Sequence, residues 1–184
     1  PEPEPEPEPE PMFANNSIVW EKLSSNYFGS IFSGEDGSLY VTGPKNNYVL
    51  KKFKPDGTEE WTILDDSFEP YSAGLITIEN DGSIYIAGST SDDIDDQVNN
   101  GGRDSYVTKY NKNRAKEWTK LLGSSEIDNT YFLDTGSDGS IYIAGRQETR
   151  KTNEYGSNLT YQIPFISKLN PDGEIIWNKI LEEY

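Results

Sequence analysis

The chain has 184 residues and a mass of 20.7 kDa, with 32 Asp and Glu against 16 Lys and Arg, a formal net charge of −16, and neither histidine nor cysteine. Those two absences exclude thiolate nucleophiles, Ser-His-Asp and Cys-His pairings, zinc sites built from cysteine or histidine, and any disulfide framework. The acidic balance argues against nucleic acid and anionic membrane surfaces as partners, because both need a basic face to displace counterions.

The chain opens on a strict Pro-Glu alternation over residues 1–11. Every second residue lacks an N–H and has φ fixed, which rules out helix and ladder and leaves polyproline II, about 30 Å long at roughly 3.1 Å per residue. Residues 1–16 read as a linker and lead-in, a spacer ahead of one domain over 17–184. Removing the five Glu of the linker still leaves −11 on the remainder, so the domain is acidic in its own right. With no initiator Met at Pro1 and no basic-then-apolar leader, the chain reads as a mature product or as part of something longer. No apolar run is long enough to span a bilayer, so no membrane insertion is expected.

An outer strand is expected near 17–23, around Trp20. A unit written three times follows. Its first string is Asp36-Gly-Ser-Leu-Tyr-Val-Thr-Gly43, repeated at Asp81–Gly88 and Asp138–Gly145. Its second is an alternating stretch, a Lys, a turn and a Trp: Val49 to Trp61, Tyr106 to Trp118 and Phe165 to Trp177. Each Trp stands five residues after Asp56, Asn113 or Asp172. Asp-Gly and Asn-Asp-Gly between alternating apolar runs are hairpin signals, since the turn needs φ > 0 where glycine is least strained. In the second copy the strands fall at Ala73–Ile78, Ser83–Ala87, Tyr106–Tyr110 and Glu117–Leu121. The fold class is therefore all-β: a β-propeller segment of three four-stranded antiparallel blades, about 21–61, 62–118 and 119–177, plus the extra outer strand. Propellers close with four to eight blades, so the partners expected are further blades of a parent chain, or self-association.

One connection expands while the strands stay in step. Five residues separate Gly43 from Val49, but seventeen separate Gly88 from Tyr106 and nineteen separate Gly145 from Phe165. Such insertions belong on the surface at one end of the array, where binding usually resides. In the second copy the insertion holds Asp92, Asp93, Asp95, Asp96 and Asp104, with Gln97, Asn99 and Asn100 between them. Close carboxylates and amide carbonyls without nitrogen or sulfur ligands suggest calcium, with Asp93, Asp95 and Asp104 as ligands and Gly101 and Gly102 folding the chain back. The spacing is not that of an EF-hand, and a merely solvated acidic loop is the competing reading. The third copy has instead the basic and polar stretch Arg146-Gln-Glu-Thr-Arg-Lys151.

Three recurring residue types have both a structural and a functional reading. Trp20, Trp61, Trp118 and Trp177 could stack on sugars, but their fixed place at the last strand favours packing between blades. Tyr40, Tyr85 and Tyr142 read as wedges between blades. Asp36, Asp81 and Asp138 could form a carboxylate array for hydrolysis; as turn residues beside glycine they have a sufficient structural reason.

Taken together, the two strings resemble the bacterial SBBP-type β-propeller repeat over about Ser17 to Tyr184. The resemblance implies an extracellular or cell-surface module of a larger bacterial protein with no assigned reaction. The expected function is a non-catalytic scaffold or interaction surface for a protein or glycan ligand. A carbohydrate-binding, lectin-like propeller is the alternative, and a glycan-processing enzyme comes third.

Overall fold

The computed structural model describes residues 29–43, 48–65 and 74–181. The Pro-Glu linker and the strand expected around Trp20 lie outside the described residues. Within them the chain is all-β, without helix, and forms three four-stranded antiparallel sheets. The first contains β1 (Ile31–Ser33), β2 (Leu39–Gly43), β3 (Tyr48–Phe53) and β4 (Glu59–Asp65). The second contains β5 (Leu75–Ile78), β6 (Ile84–Thr90), β7 (Asp104–Tyr110) and β8 (Lys116–Leu122). The third contains β9 (Asp128–Thr135), β10 (Ile141–Thr152), β11 (Asn158–Leu169) and β12 (Ile175–Ile180). Each sheet is a meander in chain order.

Turn chemistry explains the meander. Gly37, Gly82 and Gly139 in the first turns, and Gly57 and Gly173 in the last, take φ between 74° and 87°. At the matching position of the second sheet the residue is Arg114, held at φ 68°. In each first turn the aspartate accepts a backbone N–H two residues on: Ser38 N to Asp36 Oδ1 at 2.9 Å, Ser83 N to Asp81 Oδ1 at 2.7 Å and Ser140 N to Asp138 Oδ1 at 3.1 Å. A register shift recurs just before each last turn, at Lys52/Phe53, Lys109/Tyr110 and Lys168/Leu169.

The sheets stack face to face and share two cores. Leu50 of the first sheet packs with Ile76, Ile84, Ile86, Tyr106, Tyr110 and Leu121 of the second. The other face of the second sheet, with Tyr85, Ala87 and Val107, packs on Ile141, Ile143, Phe165 and Leu169 of the third. Strand alternation makes this possible, since neighbouring side chains of β6 enter different cores. The first strands lie side by side, β1 with β5 and β5 with β9. Polar bonds also cross the seams: Thr42 Oγ1 donates to Gly74 O at 2.5 Å, and Thr130 N donates to Ser89 Oγ at 3.0 Å.

One expectation needs correction. The nineteen residues between Gly145 and Phe165 are not an expanded loop. β10 and β11 remain paired from Ile141↔Leu169 to Thr152↔Asn158, whereas the pairing of β9 ends at Gln147 and that of β12 at Phe165. The insertion is therefore a two-stranded arm capped by a turn at Gly156 (φ 78°). Its backbone groups pair with each other, which satisfies them without apolar alternation.

Candidate functional site

The recurring Lys of the second string has a cross-strand explanation. Tyr85 pairs with Lys109, and Lys109 with Trp118, so the three share one face of the sheet. The same register gives Tyr40, Lys52 and Trp61, and Tyr142, Lys168 and Trp177. The ring centroids of the tyrosine and tryptophan are 5.8, 6.1 and 6.3 Å apart, and the ammonium stands 5.2–5.8 Å from each tyrosine ring centroid. Lys52 and Lys168 also reach the turn carboxylates Asp36 and Asp138, at 3.5 and 3.2 Å. Each ladder thus combines aromatic packing, cation–π contact and an ion pair.

Where a sheet follows, the tryptophan meets that sheet's last turn. The Trp118 ring lies against Gly173, and its Nε1 donates to Pro171 O at 3.2 Å. The Arg114 guanidinium stands 5.6 Å from the Trp61 ring centroid. Trp177 lies on the face of the third sheet that no described residue covers, with Lys179 5.4 Å from its ring centroid. The turn aspartates stay apart on separate sheets. Their backbone N–H bonds hold the carboxyls of Asp36, Asp81 and Asp138 below the ordinary range.

The loop after β6 is ordered by its own side chains. Buried Ile94 anchors it in the first core. Gln97 bonds β8 twice, its Nε2 donating to Thr119 O and its Oε1 accepting Leu121 N at 3.0 Å. The three carboxylates expected to share calcium go to different partners. Asp93 Oδ1 accepts Asn99 N at 2.8 Å, Asp95 pairs with Lys116 at 2.9 Å, and Asp104 Oδ2 accepts Asn100 N at 2.9 Å. Among the described residues no group of three or more acids converges as a cation would require. Gly101 lies so close to the Ser125 backbone that a Cβ would overlap it.

This close approach gathers three segments on one rim. Gly102 N and Arg103 N both donate to Glu126 O, at 3.0 and 3.3 Å, and Asp128 N donates to Arg103 O at 2.7 Å. The arm joins through Glu148 N to Ile127 O at 2.7 Å and an Arg150–Glu126 ion pair at 3.0 Å. Beneath the rim Asp104 and Asp128 are both buried. Asp104 Oδ1 has no hydrogen-bond partner and occupies the space that a Cβ at Gly123 would need. Asp128 Oδ2 accepts the N–H and hydroxyl of Ser124, at 2.7 and 2.8 Å. Burial raises both carboxyls above the ordinary range; the charge of Asp128 adds to the effect on Asp104, and that of Glu148 to the effect on Asp128. Asp128 was not singled out by the sequence, where nothing distinguishes it among 32 acids.

At the root of the arm lies a groove of about 480 Å³, lined among others by Arg146, Lys151, Tyr161, Gln162, Pro164 and Leu181. A second hollow of about 420 Å³, beside the acidic loop, is lined by Asp95, Asp96, Glu117, Lys116 and Trp118.

No protein-family model matches the chain. It is 29% identical over 96 residues to "Regulatory protein FlaEY" of Caulobacter vibrioides, an alignment spanning 47% of this chain and 10% of that protein. The chain thus matches about a tenth of that relative's length. A solved structure of a protein of unknown function from Bacteroides caccae overlays 88% of this chain on 70% of its own, with a TM-score of 0.47 and 9% identity. No helix among the described residues is long and apolar enough to cross a membrane.

Proposed function

We propose that the three sheets are consecutive blades of a propeller-type repeat array, and that the chain is a non-catalytic interaction module of a secreted or surface-borne bacterial protein. The observation that carries this reading is the uncovered face of the third sheet. On the second sheet, Tyr85, Ala87 and Val107 are buried by the sheet that follows. Their register counterparts Tyr142, Ala144 and Ile166 are only half-buried, and Phe132 on the same face is 69% exposed. A face with the same Tyr-Lys-Trp ladder asks for the same cover: another blade, from the same protein or from a second copy. The lack of histidine and cysteine supports the non-catalytic reading. The lectin-like alternative rests on a different surface, the rim and its groove.

The cysteine-free sequence makes the test direct. A polarity-sensitive fluorophore is attached at Phe132→Cys, and at Val98→Cys, an exposed loop position, as control. Raising the chain concentration shifts the emission to the blue at position 132 alone. No shift at 132, or equal shifts at both, contradicts the reading.

A further inference from the structure

The two edges of the β10–β11 arm differ in character. On the β10 side, residues 148–152 include Glu148, Arg150 and Lys151, and that edge is tied down by Glu148 N to Ile127 O and by the Arg150–Glu126 ion pair. On the β11 side the neighbouring strand stops early: past β12, Leu181 N donates to Pro164 O at 2.8 Å. From Asn158 to Ile163 the edge of β11 has no neighbouring strand among the described residues. The hairpin register, closed by Asn153 N to Ser157 O, turns the N–H and C=O of Leu159, Tyr161 and Ile163 toward β10. Those of Asn158, Thr160 and Gln162 therefore point outward, in line with the outward carbonyl of Pro164. Natural edges are blunted by charge, by proline or by a bulge. Here the register runs without a shift, proline comes only at 164, and residues 155–167 are the longest uncharged run in a chain of net charge −16.

We propose that this edge pairs with the same edge of a second copy of the chain, antiparallel about a two-fold axis at Thr160. The strand is self-complementary in that register. Thr160 lies opposite Thr160 of the second copy, Asn158 opposite Gln162, and Leu159 opposite Tyr161. Alternation puts the amides and Thr160 on one face and the apolar pairs on the other. Leu159 and Tyr161, 41% and 45% exposed in the single chain, then cover each other across the ladder. Each outward N–H of Asn158, Thr160 and Gln162 meets an outward C=O of the other copy. No carboxylate enters the contact, so two acidic chains repel only at a distance, where salt screens them. The contact is small, so pairing in solution is weak, with a dissociation constant on the order of 1 mM. It uses neither the open face of the third sheet nor Phe132, and does not depend on what covers that face.

Disulfide trapping on the cysteine-free chain tests it, with Phe132→Glu present throughout to keep the third sheet's face out of the contact. Leu159→Cys and Tyr161→Cys are made as separate chains. In the proposed register these two positions face each other between copies as a non-hydrogen-bonded pair, with Cα atoms about 4.5 Å apart, whereas like positions stand beyond the roughly 7 Å that a disulfide spans. Under oxidised glutathione at about 0.5 mM chain, the mixture forms linked dimer at least about tenfold faster than either variant alone. Thr160→Lys in both chains sets like charges opposite each other and abolishes that difference. Amide exchange in Phe132→Glu gives a second reading without cysteine. From about 20 µM to about 1 mM the N–H groups of Thr160 and Gln162 slow about twofold, while those of Leu159 and Tyr161, already bonded to β10, do not change. All variants keep the circular dichroism of the parent chain. Equal trapping in the mixture and the single variants, trapping unaffected by Thr160→Lys, or exchange at Thr160 and Gln162 that ignores concentration each overturn the proposal.

Discussion

Gly88 and Gly145 close the first repeated string, and each faces an aromatic across the ladder, Tyr106 or Phe165. A Cβ on Gly88 would stand 2.8 Å from the Tyr106 hydroxyl; on Gly145 it would overlap the Asn129 carbonyl as well as crowd Phe165. Gly145→Ala is therefore expected to destabilise by on the order of 1–3 kcal/mol, and Gly88→Ala by less, because a ring yields more readily than backbone. Urea midpoints at unchanged m-value measure both. The glycines were plain in the sequence, but their reason was not, since it depends on register between two strings. The buried acids make a second residue-scale prediction. Asp104 and Asp128 have raised carboxyl pKa values, so the folded state favours their protonated forms. Their ionisation destabilises the fold as pH rises from the ordinary carboxylate value of 3.8 through the raised folded one. Asp104→Asn, which keeps an acceptor for Asn100 N, should melt above the parent at pH 7, with the gap closing as pH falls through the carboxylate range. A gap that stays constant with pH contradicts this. The turn aspartates act in the opposite sense, losing their contribution as pH falls.

Between elements, the seam is defined by the tryptophan of one sheet and the last turn of the next. Trp118→Ala removes a ring packed on Gly173 and the bond to Pro171 O, and is expected to destabilise by on the order of 2–4 kcal/mol. Trp177→Ala removes the same residue from a face with no following sheet among the described residues. Its effect on the dilute chain should be clearly smaller. Chemical denaturation of the two variants checks the ordering. The acidic loop makes a parallel case, because Gln97→Ala deletes both bonds to β8. It should speed amide exchange at Leu121 and within residues 94–100 without changing exchange in the first sheet. The strands of each copy were readable from alternation and turn residues. The arm was not, because residues 146–164 lack apolar alternation and are held mainly by the backbone pairing of β10 with β11. Nor was the loop's anchoring, since a lone Gln reaching the edge of its own sheet leaves no periodic signal.

For the molecule as a whole, the sequence carried the count and order of the three four-stranded units, because each repeats its turns and its tryptophan at matched offsets. It could not say which carboxylates meet. Asp93, Asp95 and Asp104 are neighbours along the chain yet take three different partners, whereas Asp104 and Asp128, 24 residues apart, are buried under one rim. The central claim concerns the face that carries Phe132, Tyr142, Ile166 and Trp177, which repeats the pattern of a face that is buried one sheet earlier. Net charge of −16 opposes association of two copies, so association driven by this face should strengthen as salt screens the repulsion. Sedimentation velocity on the parent chain and on Phe132→Glu, from low to high micromolar at two ionic strengths, tests this most directly. The parent should form dimers or larger species, more so at high salt, while Phe132→Glu stays monomeric with an unchanged circular dichroism spectrum. A parent chain that remains a folded monomer at high micromolar concentration and high salt, or a Phe132→Glu variant that associates equally well, would contradict the claim.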